Sequence, residues 1–136
     1  MTEERRPCIL VVDDDDAIRR LMRATLKRSG YEIYEARNGR EALEEMRAGH
    51  GDLVVLDLMM PEVTGWQVLE VRAADEALRR IPVIVASANR GPEIAEAVKG
   101  GICALLPKPF DLDSLRSLVA SCLAHARHGT ADAAGC

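Results

Sequence analysis

The chain has 136 residues, of which 48% are hydrophobic and only 3% aromatic, a composition that suits one soluble domain with an aliphatic core. Its net charge of −4 argues against general nucleic-acid binding, which usually depends on a basic surface. No apolar run approaches the roughly 18 residues needed to cross a bilayer, and the first residues, MTEERRPC, lack the apolar segment of a secretory signal, so we expect a cytoplasmic protein.

The first half of the chain alternates short apolar runs with segments of helical periodicity. The run CILVV at residues 8–12 stops at four aspartates, which predicts a buried strand followed by an acidic loop. A helix follows, and Gly30 suits its end, while Asn38 suits the start of a second helix through residue 47. Further strands are predicted at residues 31–36 and 53–57. The first helix has an apolar stripe of Ile18, Leu21, Met22, Thr25 and Leu26, and its predicted solvent face carries Arg19, Arg20, Arg23, Lys27 and Arg28.

The second half continues the same alternation. Thr64 and Gln67 have the spacing of a capping box, which predicts the start of a third helix. Pro92 fits the first turn of a short fourth helix at residues 93–99, and Asp111 suits the cap of a fifth. The remaining predicted elements are strands at residues 83–87 and 102–106, and the fifth helix carries an apolar stripe of Leu112, Leu115, Leu118, Val119, Cys122 and Leu123.

Five strands alternating with five helices predict a doubly wound parallel α/β sheet covered on both faces. In such a sheet, ligands bind beyond the carboxyl ends of the strands. Polar residues follow four of the five predicted strands at that edge, and we expect them to lie close together. They are Asp13 and Asp14 after the first strand, Asp57 at the end of the third, Ser87 at the end of the fourth and Lys108 after the fifth.

These residue types fit phosphoryl transfer to a carboxylate. Three clustered carboxylates repel one another, and a hard cation such as Mg²⁺ offsets that repulsion. Because magnesium shares its coordination shell with water and phosphate oxygens, one carboxylate stays available as a nucleophile or phosphate acceptor. Ser87 and Lys108 offer a hydroxyl and an ammonium group for the phosphoryl oxygens.

Four motifs resemble the receiver domain of two-component response regulators: VVDDDD at residues 11–16, VVLDLMMP at 54–61, VIVASA at 83–88 and PKPF at 107–110. The resemblance extends over about residues 7–125, with the motifs in the family's order. It implies a flavodoxin-like (βα)5 fold with strand order 2-1-3-4-5. It also implies a receiver domain at residues 7–126, between an N-terminal extension at 1–6 and a short flexible tail at 127–136.

The resemblance further implies a regulatory phosphoprotein that catalyses only its own phosphorylation and dephosphorylation, not an enzyme. Its phosphoryl donor would be a histidine kinase or a phosphotransfer protein, and its output an unknown downstream protein or the next member of a phosphorelay. We expect a monomer or a weak phosphorylation-dependent dimer, with no nucleic-acid or membrane partner. The implied roles are phosphoacceptor for Asp57, magnesium binding for Asp14, Asp57, the backbone carbonyl of Met59 and, through water, Asp13, and phosphate binding and switching for Ser87 and Lys108.

The chain departs from the family pattern just before the lysine. The family usually has Tyr or Phe three residues before it, whereas this chain has Leu105, and Cys103 and Ala104 stand where acidic residues are common. Pro107 further stiffens the strand end and removes a backbone donor. We therefore expect an output surface unlike that of the transcription-factor regulators.

Three other functions are open to this pattern. A degenerate receiver would serve only as a docking module. A phosphatase of the haloacid dehalogenase type would need a second aspartate two residues after the first, and Met59 stands there. A flavodoxin-like nucleotide binder would need a Gly- or Ser-rich phosphate loop after the first strand, where this chain has four aspartates that repel phosphate.

The four cysteines, Cys8, Cys103, Cys122 and Cys136, are scattered and form no CxxC or CxxH pair. This spacing argues against both a zinc site and a disulfide framework. We expect the first three to be small buried residues, and Cys136 to be an exposed thiol in the polar end of the chain.

Overall fold

The computed structural model describes residues 6–60, 62–88 and 101–129. Five parallel strands form one sheet in the order β2-β1-β3-β4-β5, which confirms the predicted flavodoxin-like strand order. The strands are β1 (Cys8–Val12), β2 (Glu32–Ala36), β3 (Leu53–Asp57), β4 (Val83–Ser87) and β5 (Ala104–Pro107). The last strand therefore begins two residues later than the predicted 102–106.

Four helices lie within the described residues: α1 (Asp16–Arg28), α2 (Gly39–Arg47), α3 (Gly65–Ala74) and α4 (Leu112–Gly129). The predicted helix at residues 93–99 lies outside the described residues, as do Cys136 and most of the predicted N-terminal extension and C-terminal tail. No helix in the described ranges is long and apolar enough to cross a membrane.

The two faces of the sheet are covered by different helices, as a doubly wound fold requires. Strands β1, β3 and β4 are buried along their whole length, so successive side chains point into opposite cores. On one face, Met22 and Leu26 of α1 and Leu115 and Val119 of α4 pack together. On the other, Ala42 and Met46 of α2 pack with Val68 of α3.

Each of the four described helices begins with a side-chain cap, and the caps of α2, α3 and α4 are the predicted ones. The Asp15 carboxylate caps α1 by accepting from the N–H of Ala17 at 2.9 Å, and Asn38 caps α2 in the same way. Thr64 and Gln67 form the predicted capping box of α3. The Asp111 carboxylate accepts from the Ser114 N–H at 2.7 Å at the start of α4.

Two predictions for α1 are wrong. The periodicity places Leu21 on the apolar stripe, but this residue is 48% exposed. It places Arg19 on the solvent face, yet Arg19 is buried, because its guanidinium bonds to groups at the end of β1 and on β2. The buried face of α1 therefore runs through Arg19, Met22 and Leu26, at positions i, i+3 and i+7.

The prediction that the cysteines form no disulfide is also wrong. Cys103 and Cys122 are joined by a disulfide, with their Cα atoms 6.2 Å apart. Cys122 is buried, as predicted, but Cys103 is exposed. Cys8 is buried, in agreement with the prediction, and its Sγ donates to the Glu32 carboxylate at 3.5 Å. The spacing of 19 residues gave no indication of the pair, because the packing of α4 beside β5 brings the two residues together.

Candidate functional site

The carboxyl ends of the central strands bring the predicted site residues to one edge of the sheet. Asp13 follows the last residue of β1, Asp57 ends β3 and Ser87 ends β4. In the sheet register, Asp57 lies beside Ala86, and Ser87 lies beside Pro107, directly before Lys108. The parallel register therefore explains why residues from distant parts of the sequence meet here.

Three carboxylates form the acidic part of the site. Asp13, Asp14 and Asp57 each offer one oxygen, and these oxygens all lie within 4.8 Å of one another. Asp13 and Asp57 are buried, whereas Asp14 is exposed, so the cluster is open to solvent on one side. Hard oxygen ligands with room for water match the preference of Mg²⁺, which keeps part of its hydration shell in proteins. The residues present therefore fit a magnesium ion.

The Lys108 ammonium lies between two of these carboxylates. Its Nζ atom is 2.8 Å from Oδ2 of Asp13 and 3.7 Å from Oδ2 of Asp57. The backbone N–H of Lys108 donates to the Ser87 carbonyl at 3.0 Å, which fixes the start of the loop after β5. The shorter contact shows that, in this arrangement, the lysine pairs more closely with Asp13 than with Asp57.

Burial changes the titration of Asp57. The pKa of its carboxyl group is raised from 3.8 to about 6, and loss of hydration is the largest cause of this rise. The Lys108 charge and the N–H of Met59, which donates to Oδ1 at 3.1 Å, act in the opposite direction and lower the pKa. Asp13 and Asp14 raise it further by charge repulsion. Asp57 is therefore less readily ionised than an exposed aspartate, and a bound cation would favour its charged form.

Arg19 supports the acidic loop, a role that the sequence analysis missed. Its Nη1 donates to the backbone carbonyl of Asp13 at 2.7 Å, Nη2 donates to Asp16 at 2.6 Å, and Nε donates to Glu35 at 2.9 Å. These bonds connect the loop after β1 to α1 and β2. The signal that could have revealed this role is helical spacing, since Arg19 lies three residues before the buried Met22.

Gly65 allows α3 to begin directly against the backbone of Asp57. A Cβ atom at this position would lie 2.4 Å from the Asp57 carbonyl oxygen and 2.6 Å from Cα of Leu58. The Gly65 N–H also donates to the Leu58 carbonyl at 3.1 Å. The first turn of α3 therefore fixes the backbone that carries Asp57, and no larger residue fits there without a shift.

Two apolar side chains lie near the site without a bonded role in it. Met59, two residues after Asp57, is 60% exposed. Leu105, at the position where the family usually has an aromatic residue, is partly buried and packs against the core shared with α2 and α3. The Met59 N–H donates to the Asp57 carboxylate. The Met59 carbonyl therefore lies in the same short loop, close to Asp57 in the sequence.

Comparison with known proteins gives a consistent picture. A sequence model of the response regulator receiver domain matches residues 9–120. The chain is 39% identical over 112 residues to the regulatory protein AtoC of Escherichia coli (strain K12), an alignment that covers 82% of this chain but 24% of AtoC. It is 34% identical over 119 residues to the polar-differentiation response regulator DivK of Brucella ovis, covering 87% of this chain and 97% of DivK.

A solved structure, the receiver domain of a Francisella response regulator, superposes with a TM-score of 0.81 at 30% identity, covering 88% of this chain and 98% of that one. The chain spans about a quarter of AtoC, whereas it spans nearly all of DivK and of the Francisella domain. The sequence and structural similarity to these three proteins is therefore similarity to one domain, the receiver domain.

Proposed function

The chain belongs to the response regulator receiver domain family, and on that premise we propose that it accepts a phosphoryl group on Asp57 and acts as a phosphorylation-dependent switch. The observation that carries this proposal is the convergence of Asp13, Asp14, Asp57 and Lys108 at one edge of the sheet. Receiver domains are regulatory phosphoacceptors that bind Mg²⁺ at such an acidic pocket.

In the proposed reaction, a carboxylate oxygen of Asp57 attacks the phosphorus atom of a phosphohistidine on a histidine kinase or phosphotransfer protein. The phosphorus–nitrogen bond breaks, its electron pair stays on that ring nitrogen, and the histidine leaves as a neutral imidazole that keeps the proton already on its other ring nitrogen. Asp14, Asp57 and the carbonyl of Met59 would hold magnesium, with Asp13 bound through water. The ion would supply positive charge that offsets the repulsion between the phosphoryl oxygens and the carboxylates.

The residues of the chain supply positioning. The Met59 N–H bonds to Oδ1 of Asp57, so this oxygen has a fixed orientation and Oδ2 faces Lys108. After transfer, Lys108 would move from Asp13 toward a phosphoryl oxygen, and the Ser87 hydroxyl would donate to another. Because the phosphoryl group on Asp57 would carry roughly −1.5 to −2 charges in place of the single charge of the carboxylate, it would change the arrangement of the loops after β4 and β5, and a partner protein would bind the changed surface.

We place the protein in the cytoplasm, with its receiver domain at residues 7–126, on the same premise. The chain would either regulate a downstream protein directly or pass its phosphoryl group onward. The polar-differentiation response regulator DivK, which the alignment covers almost completely, supports a role in response regulation.

The experiment that tests this function is intact-protein mass spectrometry after incubation with acetyl phosphate. We expect one phosphoryl addition that requires Mg²⁺ and is lost in Asp57→Asn. Asp113→Asn, an exposed aspartate in the first turn of α4, is the matched control and is expected to react normally. A folded protein that gains no phosphoryl group from acetyl phosphate or from phosphohistidine donors would instead indicate a docking module. Release of phosphate from added phosphate esters would indicate a phosphatase.

A further inference from the structure

The disulfide between Cys103 and Cys122 lies outside the acidic site. Cys103 directly precedes β5, and its backbone N–H donates to the Val83 carbonyl at 2.8 Å. Cys122 lies in α4, and the two Cα atoms are 6.2 Å apart, a separation that a disulfide spans without backbone movement. The bond therefore links the start of the last strand to the helix that covers it.

The two sulfur atoms differ in access to solvent. Cys103 is exposed, whereas Cys122 is buried in the cluster that contains Leu115 and Val119 of the same helix. Thiol–disulfide exchange requires that a thiolate reach a disulfide sulfur. A small thiol or disulfide can therefore reach Cys103, whereas Cys122 is screened from solvent by its neighbours in that cluster.

The bond also lies on the element that carries Lys108. Among the described strands, β5 lies at the edge of the sheet and pairs with β4 alone. It runs the four residues from Ala104 to Pro107, between Cys103 at one end and Lys108 at the other. Leu106, in the middle of the strand, packs in the same cluster as Cys122. The disulfide therefore adds a second constraint to a strand whose other end presents the site's ammonium group.

We propose that Cys103 and Cys122 form a reversible thiol–disulfide site for low-molecular-weight thiols and disulfides of the glutathione class, and that the bond restrains the movement of Lys108. The second part rests on the proposed function. In the cytoplasm, thiols are mostly reduced, and disulfides that form there are usually transient and redox-sensing. The structure described here is the oxidised form of this pair.

The chemistry balances with a disulfide as oxidant. The Cys103 thiolate attacks one sulfur of glutathione disulfide, forms a mixed disulfide and releases one glutathione thiolate, which takes up the proton that Cys103 lost. The Cys122 thiolate then attacks the Cys103 sulfur and releases the second glutathione. Two protein thiols lose two electrons, and one glutathione disulfide gains them to become two thiols.

A redox titration of the whole chain tests the site. The protein is equilibrated in glutathione buffers of increasing oxidised fraction, denatured in iodoacetamide so that buried thiols are also alkylated, and digested with trypsin. Because trypsin does not cleave before Pro109, Cys103 falls in the peptide of residues 100–116 and Cys122 in the peptide of residues 117–127. We expect these two peptides to become linked as the oxidised fraction rises and to separate on reduction, while the Cys8 peptide stays alkylated.

Single variants check the order of attack. Cys122→Ser is expected to accumulate a mixed disulfide of glutathione on Cys103, while Cys103→Ser is expected to form none on the buried Cys122. If Cys122→Ser fails to fold, the exposed Cys103→Ser still tests the site, because it must lose the linked peptide. Alkylation of both thiols at every buffer ratio, or a bond from Cys103 to Cys136, would overturn the proposal.

The effect on Lys108 is measured by the initial rate of phosphorylation by acetyl phosphate. We expect the reduced protein to react at least about fivefold faster than the oxidised protein, the low end of typical coupling between sites, and Cys103→Ser to react at one rate in both buffers. Equal rates for the two forms of the wild type would overturn the coupling. Absence of phosphorylation of both forms, by acetyl phosphate and by a phosphohistidine donor, would refute the proposed function and the coupling together, while the peptide titration still decides the thiol site.

Discussion

Replacing Asp57 by asparagine is expected to stabilise the metal-free protein, although it removes the proposed phosphoacceptor. The residue is 5% exposed, and burial raises the pKa of its carboxyl group from 3.8 to about 6. The native state therefore holds this proton more tightly than the unfolded chain does. A carboxylate whose native pKa is raised is a source of instability when ionised, and asparagine has nearly the same shape without the charge.

The size and pH dependence of the effect follow from these two values. At about pH 3 and below, roughly one unit under the lower pKa, Asp57 is protonated in both states, and the variant and wild type should have the same stability. As the pH rises through 6, the wild type loses up to about 3 kcal/mol at this residue, because each unit of pKa corresponds to about 1.4 kcal/mol. The asparagine amide cannot lose a proton, so the advantage of Asp57→Asn should grow over this interval and then remain constant.

Urea unfolding in EDTA at a series of pH values measures this difference, with Asp113→Asn as the control for a general loss of negative charge. The control should stay within about 0.5 kcal/mol of the wild type at every pH. Addition of Mg²⁺ should narrow the gap at neutral pH, since an ion that binds the native carboxylates adds about 2.7 kcal/mol at a hundred times its Kd. A variant no more stable than the wild type at pH 7, or a gap that does not shrink toward pH 4, would refute the reasoning.

Three further substitutions test how the site is held. Arg19→Met should lower the free energy of unfolding by about 2 kcal/mol, because it leaves a buried backbone carbonyl without its donor. The control, Arg20→Met at an exposed position, should change the free energy of unfolding in urea by less than about 0.5 kcal/mol. Equal effects of the two substitutions would contradict the role of the Arg19 bond. Gly65→Ala should lower the free energy of unfolding by about 1–3 kcal/mol, because its Cβ atom would meet the Asp57 carbonyl. It should also weaken Mg²⁺ binding measured by calorimetry. An unchanged affinity for Mg²⁺ would show that the backbone shift does not reach the site. Thr64→Ala should cost about 1 kcal/mol through loss of the helix cap, and thermal unfolding that matches the wild type would contradict it.

Much of the fold and the site could be predicted because the signals are local. Strands β1, β3 and β4 are buried on both faces, so each is a short apolar run that ends abruptly at a polar residue. Asp57 and Ser87 are the last residues of two such runs, and Asn38 and Thr64 cap helices within four residues of themselves. Because the carboxyl ends of parallel strands lie at the same edge of a sheet, knowing where each strand ends was sufficient to predict the acidic cluster.

The features that could not be predicted depend on contacts between elements. The burial of Arg19 requires Glu35 on β2, and the Cys103–Cys122 bond requires α4 to pack beside β5. The cysteine pair leaves no periodic pattern in the sequence, and the helical spacing of Arg19 indicates its face of α1 but not its partner on β2. A guanidinium group at a helix face is normally solvated, and a pair of cysteines 19 residues apart has no fixed spacing rule.

The residues of the site are held by different numbers of contacts, and this difference indicates which of them moves when the charge on Asp57 changes. Asp13 is held on one side by Arg19 and by the N–H of Asp15, which donates to its Oδ1 at 2.9 Å. Asp57 is fixed by its own strand at the centre of the sheet and by the close approach of α3 at Gly65. Lys108, by contrast, follows an edge strand, and its ammonium group makes two ion pairs, of 2.8 Å and 3.7 Å. A new negative group on Asp57 would therefore displace Lys108 and the end of β5 before it displaced the acidic loop.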